Sequence, residues 1–199
     1  MAEPARKRMT VAAFLQAEGL EEGRYELIDG EPVMMAPTLN AHGGLAFNLG
    51  AGIAAALRKR PGCRGYQQAG VRSLRRRDTF YISDLVVSCR DAPHVEREIQ
   101  APLLIVEILS PSTEAIDRRY KLLDYRDIVS VQEILFVDAR EVFCEVHRRG
   151  DQGWQVDVLG DIGDSLRLSS IGLAMPLREL YVGFATGGRR GLARPRRQR

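Results

Sequence analysis

Two acids occupy positions where a charge is costly. Asp84 and Glu107 each stand alone in an apolar run, in TFYISDLVVS and PLLIVEIL, 23 residues apart. A carboxylate in such a run is unfavourable to bury unless a metal, a cation or several donors compensate it. If the two runs are neighbouring strands, both acids can face one side of a sheet. Two hard carboxylates with water suit Mg²⁺ or Mn²⁺, which takes few protein ligands and keeps several waters. Such an ion can activate a water and neutralise charge on a phosphoryl group. A structural network of the two acids with arginines accounts for the same pattern.

A third group is Lys121. It shares a helical face with Asp117 and Tyr125 at i, i+4 and i+8. Of the 29 basic residues 26 are arginine, and the lysines are Lys7, Lys59 and Lys121. A lysine in so arginine-rich a chain points to a compact point charge over a planar fork. The plainer reading is an exposed ion pair with Asp117, worth a few tenths of a kcal/mol.

The elements that must position these groups can be read in outline. Leu103 to Leu109 predicts a strand with Leu103, Ile105, Glu107 and Leu109 on one face and Leu104, Val106 and Ile108 on the other. Ser110-Pro111 ends it. Ser112 or Thr113, with Glu114, offers a cap for the helix carrying Lys121. Thr79 to Val87 predicts a strand with Phe80, Ile82, Asp84 and Val86 on one face, in a hairpin with Val71 to Leu74 across Arg75, Arg76, Arg77 and Asp78. The turn arginines read as solvated, or as contacts to a phosphate backbone.

Earlier in the chain, Thr10 caps a short helix to Ala17. Tyr25 to Met35 is a hairpin about Asp29-Gly30, with Pro32 marking an edge strand and Glu26 on the first strand. A long helix over 41–60 follows, capped by Thr38 or Asn40, with His42 near its start. Its stripe is Leu45, Leu49, Ile53, Ala56 and Leu57, and its four glycines predict close packing. Later, Glu133 to Asp138 is a strand, Glu141 to Arg148 and Trp154 to Leu159 pair as a hairpin, and Ser165 to Leu168 adds a short strand. Met175 to Leu180 closes the body as a helix. This order predicts one α/β domain over 1–186, a curved mixed sheet flanked by helices.

The chain has 199 residues, 45% hydrophobic and 28% charged, a composition of globular protein. Its net charge of +3 includes six arginines within 187–199, which leaves the first 186 residues at −3. The basic tail reads as disordered and as a nonspecific polyanion tether. No apolar run is long enough to span a membrane. The start, MAEPARKRMT, has no apolar signal-type core. Cys63, Cys89 and Cys144 are scattered, without CxxC, and read as buried free thiols in a reducing cytoplasm.

The stretches YELIDGE (25–31), His42, Asp84 before Leu85-Val86-Val87, PLLIVEILSPST (102–113), the Asp117, Lys121, Tyr125 spacing and EILFVD (133–138) form a joint pattern. With it the chain resembles, from about Met9 to Tyr181, the Uma2 family, a restriction-endonuclease-like group in the PD-(D/E)XK nuclease superfamily. The resemblance implies a restriction-endonuclease-like fold, with Asp84 and Glu107 as metal acids and Glu26 as a further catalytic acid. Two positions depart from the superfamily pattern. Ser83 stands where a proline precedes the first acid, and Leu109 stands in the lysine place of E-x-K. The family pattern puts the catalytic lysine on the following helix, here Lys121. The implied activity is Mg²⁺- or Mn²⁺-dependent hydrolysis of DNA phosphodiester bonds. DNA would also be contacted by the tail and by Arg75, Arg76 and Arg77, and a homodimer would serve cleavage of both strands. The alternatives are an inactive nuclease-fold module for nucleic-acid binding or assembly, and a nuclease for structured RNA.

Overall fold

The computed structural model describes residues 8–18, 24–91, 96–110 and 117–184. In chain order they form α1 (Val11–Gln16), β1 (Tyr25–Ile28), β2 (Glu31–Met34), α2 (Asn40–Leu57), β3 (Arg64–Arg72), β4 (Phe80–Ser88) and β5 (Pro102–Leu109). A π-helical turn, Asp117–Lys121, leads into α3 (Leu122–Asp127). Then come β6 (Glu133–Asp138), β7 (Cys144–Gly150), β8 (Gly153–Leu159), β9 (Ser165–Leu168), β10 (Leu173–Pro176) and α4 (Leu177–Leu180). The cap expected at Ser112 or Thr113 with Glu114, and the basic stretch 187–199, lie outside the described residues.

β1 to β8 make one eight-stranded sheet in the order β2-β1-β4-β5-β6-β7-β8, with β3 on β4, and β9 pairs β10 separately. It is antiparallel except for β5 and β6, which run parallel. The expected α/β architecture, a curved mixed sheet flanked by helices, is what forms. α2 lays Leu45, Leu49 and Ile53 on one face, against Leu85, Val87, Leu104, Val106 and Ile108. α3 covers the other face, where Tyr125 and Ile128 meet Val86, Ile105, Leu109, Ile134 and Phe136. The alternation read for β5 holds from Leu104 to Leu109 and puts Glu107 on the α3 side, but Leu103 packs with the α2-side cluster, next to a register shift in the β4–β5 pairing.

Four glycines weaken α2 by roughly 1 kcal/mol each relative to alanine. Fully buried leucines such as Leu45 and Leu49 contribute about 1.5–3 kcal/mol each and offset this. The glycines also have a packing reason: a Cβ on Gly44 would overlap the Phe184 ring, and one on Gly52 would press on Met175.

Several expectations need correction. α2 starts at Asn40 with Leu39 as N-cap and no side-chain cap bond, so neither Thr38 nor Asn40 caps it. β3 begins at Arg64, seven residues before the predicted strand, because pairing with β4 overrides the weak strand propensity of RGYQQAG. On β4 strict alternation fails, since Tyr81 and Val86 belong to the α3 side while Leu85 and Val87 belong to the α2 side. The closing helix begins two residues late, because Leu173 to Pro176 pair with β9. Asp29 and Gly30 do form the left-handed turn expected, and β2 is the sheet edge that Pro32 tolerates.

The cysteine reading fails for two of three. The β3–β4 register sets Arg64 opposite Ser88, so the flanking Cys63 and Cys89 face each other and form a disulfide. Sequence distance hides this, and with a disulfide present the cysteines no longer point to a reducing compartment. Cys144 is a buried free thiol, pushed up to about 12 by burial. No helix among the described residues is long and apolar enough to cross a membrane.

Candidate active site

The site grows from a fork in the sheet. β3 runs along one edge of β4 for its whole length. On the opposite edge β1 meets β4 at Leu27↔Phe80, and β5 joins only from Leu85↔Val106 onward. Between those points side chains take over the ladder. Ile82 N–H donates to Glu26 Oε1 at 3.0 Å, and Ile108 N–H donates to Asp84 Oδ2 at 2.7 Å. Glu26 of β1, Asp84 of β4 and Glu107 of β5 thus border one gap, all buried.

Lys121 is delivered to the same place. It is 3% exposed, its Nζ lies 2.9 Å from Glu26 Oε1 and 3.3 Å from Glu107 Oε1, and the Tyr81 ring is 5.5 Å away. The lysine is buried, which corrects the reading of it as an exposed surface group. The π-helical turn ends on Lys121, and such turns recur at functional sites. Four residues on, Tyr125 donates its O–H to Glu107 Oε1 at 2.6 Å and lies 2.8 Å from Ser83 Oγ. Burial, then the nearby Glu107 charge, pushes the Tyr125 phenol well above its usual range, so at neutral pH it stays a donor.

Asp84 is held separately. Gln68 Nε2 donates to its Oδ1 at 3.0 Å, and His42 Nε2 lies 3.2 Å from Oδ2. The structure therefore joins Glu26, Glu107 and Lys121 in direct contact and holds Asp84 one strand away, through Ile108 N–H and His42. Nearby, Tyr81 donates to Asp124 at 2.7 Å and Arg76 bridges Asp124, Asp29 and the Tyr81 hydroxyl. Arg76 is thus fixed in structure, a correction to its reading as solvated. Arg75 lies 3.4 Å from Asp127, and Arg77 is exposed.

The sequence reading missed Gln68. Its role depends on the β3 register, and the segment carries no strand-like alternation that would have signalled it. Asp84 and Glu107 were visible as acids in apolar runs and Lys121 by its helical spacing, Glu26 came from the family resemblance, and His42 was placed only near the start of α2 with no contact to Asp84 foreseen.

The donor chemistry suits a small hard cation. Among the described residues, Glu26 and Glu107 share the Lys121 ammonium and Asp84 pairs with the His42 imidazole, so the buried oxygens are the hard donors a divalent cation takes. No group of three or more His, Cys, Asp or Glu converges among the described residues. An ion that keeps most of its water needs only one or two carboxylates, so Asp84 and Glu107 fit it.

Comparisons with known proteins bear on the family and the fold. The Uma2 family, described as "Putative restriction endonuclease", matches residues 11–178. The uncharacterized protein slr1290 of a Synechocystis strain is 36% identical over 104 residues, which is 51% of this chain and 54% of that protein. The uncharacterized protein sll1609 of the same strain is 28% identical over 159 residues, 74% of this chain and 85% of that one. Among solved structures, a crystal structure from Anabaena variabilis titled as a putative nuclease of DUF820 superposes with a TM-score of 0.71. It covers 87% of this chain and 97% of its own at 18% identity, a likeness of fold. With most of its length inside the family match, and a nuclease-type sheet around its buried acids, the chain belongs to the Uma2 family of restriction-endonuclease-like proteins.

Proposed function

We propose that the chain is a Mg²⁺- or Mn²⁺-dependent endonuclease that hydrolyses DNA phosphodiester bonds. The observation that carries this reading is the buried Lys121 ammonium beside Glu107, at the fork that Asp84 also borders. Asp84 and Glu107 would hold the ion. Bound there, it would neutralise charge on the scissile phosphate and acidify water. As the water oxygen bonds to phosphorus it gives up a proton to solvent, one ester P–O bond breaks, and the departing sugar oxygen takes a proton from solvent. Lys121 orients the attacking water or stabilises the charge that grows on the phosphoryl oxygens. Glu26, 2.9 Å from that ammonium, aims it across the fork, a catalytic-site acid acting through Lys121.

The competing reading, a nucleic-acid-binding module without turnover, draws on Leu109. The E-x-K lysine position is here a fully buried core residue. Incubating the protein with supercoiled plasmid decides between them. Nicked or linear product with Mg²⁺ or Mn²⁺, lost with EDTA, is expected; intact plasmid under all conditions favours the binding module. Linear product would call for two sites and hence a two-fold dimer. A parallel RNA substrate tests the choice of nucleic acid.

In this reading the stretch 187–199, together with exposed Arg75 and Arg77, supplies sequence-independent phosphate contacts. Removing 187–199 takes away six positive charges. It is expected to weaken DNA binding and to flatten the dependence of log K on log salt, while melting temperature stays put. An unchanged salt slope would contradict the tether.

A further inference from the structure

Asp84 is gripped from three directions. Ile108 N–H, from β5, and His42 Nε2, from the first turn of α2, approach Oδ2, and Gln68 of β3 approaches Oδ1. Gln68 lies between the Gln67↔Leu85 and Ala69↔Ser83 pairs, directly across from Asp84. Its φ is +48°, uncommon for a residue with a side chain and a feature that clusters at functional sites. The carboxamide has one workable orientation. Arg24 Nη1 donates to its Oε1 at 2.8 Å and its Nε2 donates to Asp84, since arginine only donates and carboxylate only accepts.

We propose that Gln68 and His42 are positioning residues for Asp84, holding its carboxylate so that one direction on Oδ1 stays open to a hard divalent cation. A carboxylate accepts from about four directions. Among the described residues three are occupied, by a strand N–H, an amide and an imidazole from three different elements. The carboxylate cannot rotate without breaking all three. Groups that orient a ligating side chain in this way typically change metal affinity 10–100-fold when removed. The inference rests on the proposed metal site.

The test is calorimetric titration of the full chain with Mn²⁺, alongside the melting temperature of the metal-free protein. His42→Ala and Gln68→Ala are each expected to weaken Mn²⁺ binding by roughly 10–100-fold. His42→Gln, which returns an N–H donor near the Nε2 position, is expected to recover most of the loss, as a merely space-filling role would not require. Gln68→Glu, the same shape without the donor, is expected to behave like Gln68→Ala. Should His42→Ala fail to fold, the half-buried Gln68 carries the test. Unchanged affinity in both alanine variants, with binding lost in Asp84→Asn, would overturn the positioning role and leave the metal site standing. A wild-type protein that takes up no Mn²⁺ would overturn both.

Discussion

Lys121→Ala is expected to abolish cleavage while Mn²⁺ binding survives, and to lower the melting temperature by roughly 10 °C. The stability loss follows from burial. Lys121 sits between Glu26 and Glu107, and its removal leaves two buried carboxylates facing each other across a void. Removing one partner of a buried ion pair costs roughly 3–5 kcal/mol. The ion itself should still bind, because the added negative charge favours it. Lys121→Arg restores charge but not shape. A planar guanidinium has a longer reach than the 2.9 and 3.3 Å contacts allow beside the Tyr81 ring, so rescue is expected to be poor. Plasmid cleavage and thermal melting read both effects. Cleavage near the wild-type rate in Lys121→Ala would remove the lysine from the chemistry.

Glu107→Gln and Asp84→Asn are each expected to lose Mn²⁺ binding in calorimetry and all cleavage, yet to differ in stability. At Glu107 the amide oxygen can still accept the Tyr125 O–H, and Lys121 keeps Glu26. One fewer buried charge makes this change nearly neutral for the metal-free fold. Asp84 accepts from Gln68 and Ile108 N–H and pairs with His42. An amide cannot accept from all three, so Asp84→Asn is expected to cost about 1–3 kcal/mol. Equal Mn²⁺ affinity in both variants and the parent would refute the ligand assignment; reversed stabilities would refute the account of the donors.

Much of this architecture is legible because local signals and tertiary needs coincide. The hairpin at Asp29-Gly30, the alternation along β5 and the stripe of α2 are each written in residue type. The placement of Lys121 was less accessible, since it depends on a π-helical turn that no periodicity announces. Its spacing to Tyr125 nevertheless brought both side chains to Glu107. β4 escaped a simple reading because side chains of Glu26 and Asp84 replace ladder bonds there, and the regular alternation slips with them. Gln68 and the Cys63–Cys89 bridge stayed hidden for one reason: both are consequences of the β3–β4 register, a long-range pairing over a Gly- and Gln-rich segment. The residues that break local rules, a left-handed glutamine and acids in apolar strands, are those that gather around the fork.

The proposed hydrolysis needs a divalent ion held by Asp84 and Glu107. Crystals of the full chain soaked in Mn²⁺, with data collected near the manganese absorption edge, test this directly. An anomalous peak bridging the two carboxylates, absent from Glu107→Gln crystals treated alike, is the predicted result. Soaked crystals with no anomalous density at the fork, or with the peak elsewhere and Lys121 still bound to both Glu26 and Glu107, would contradict it.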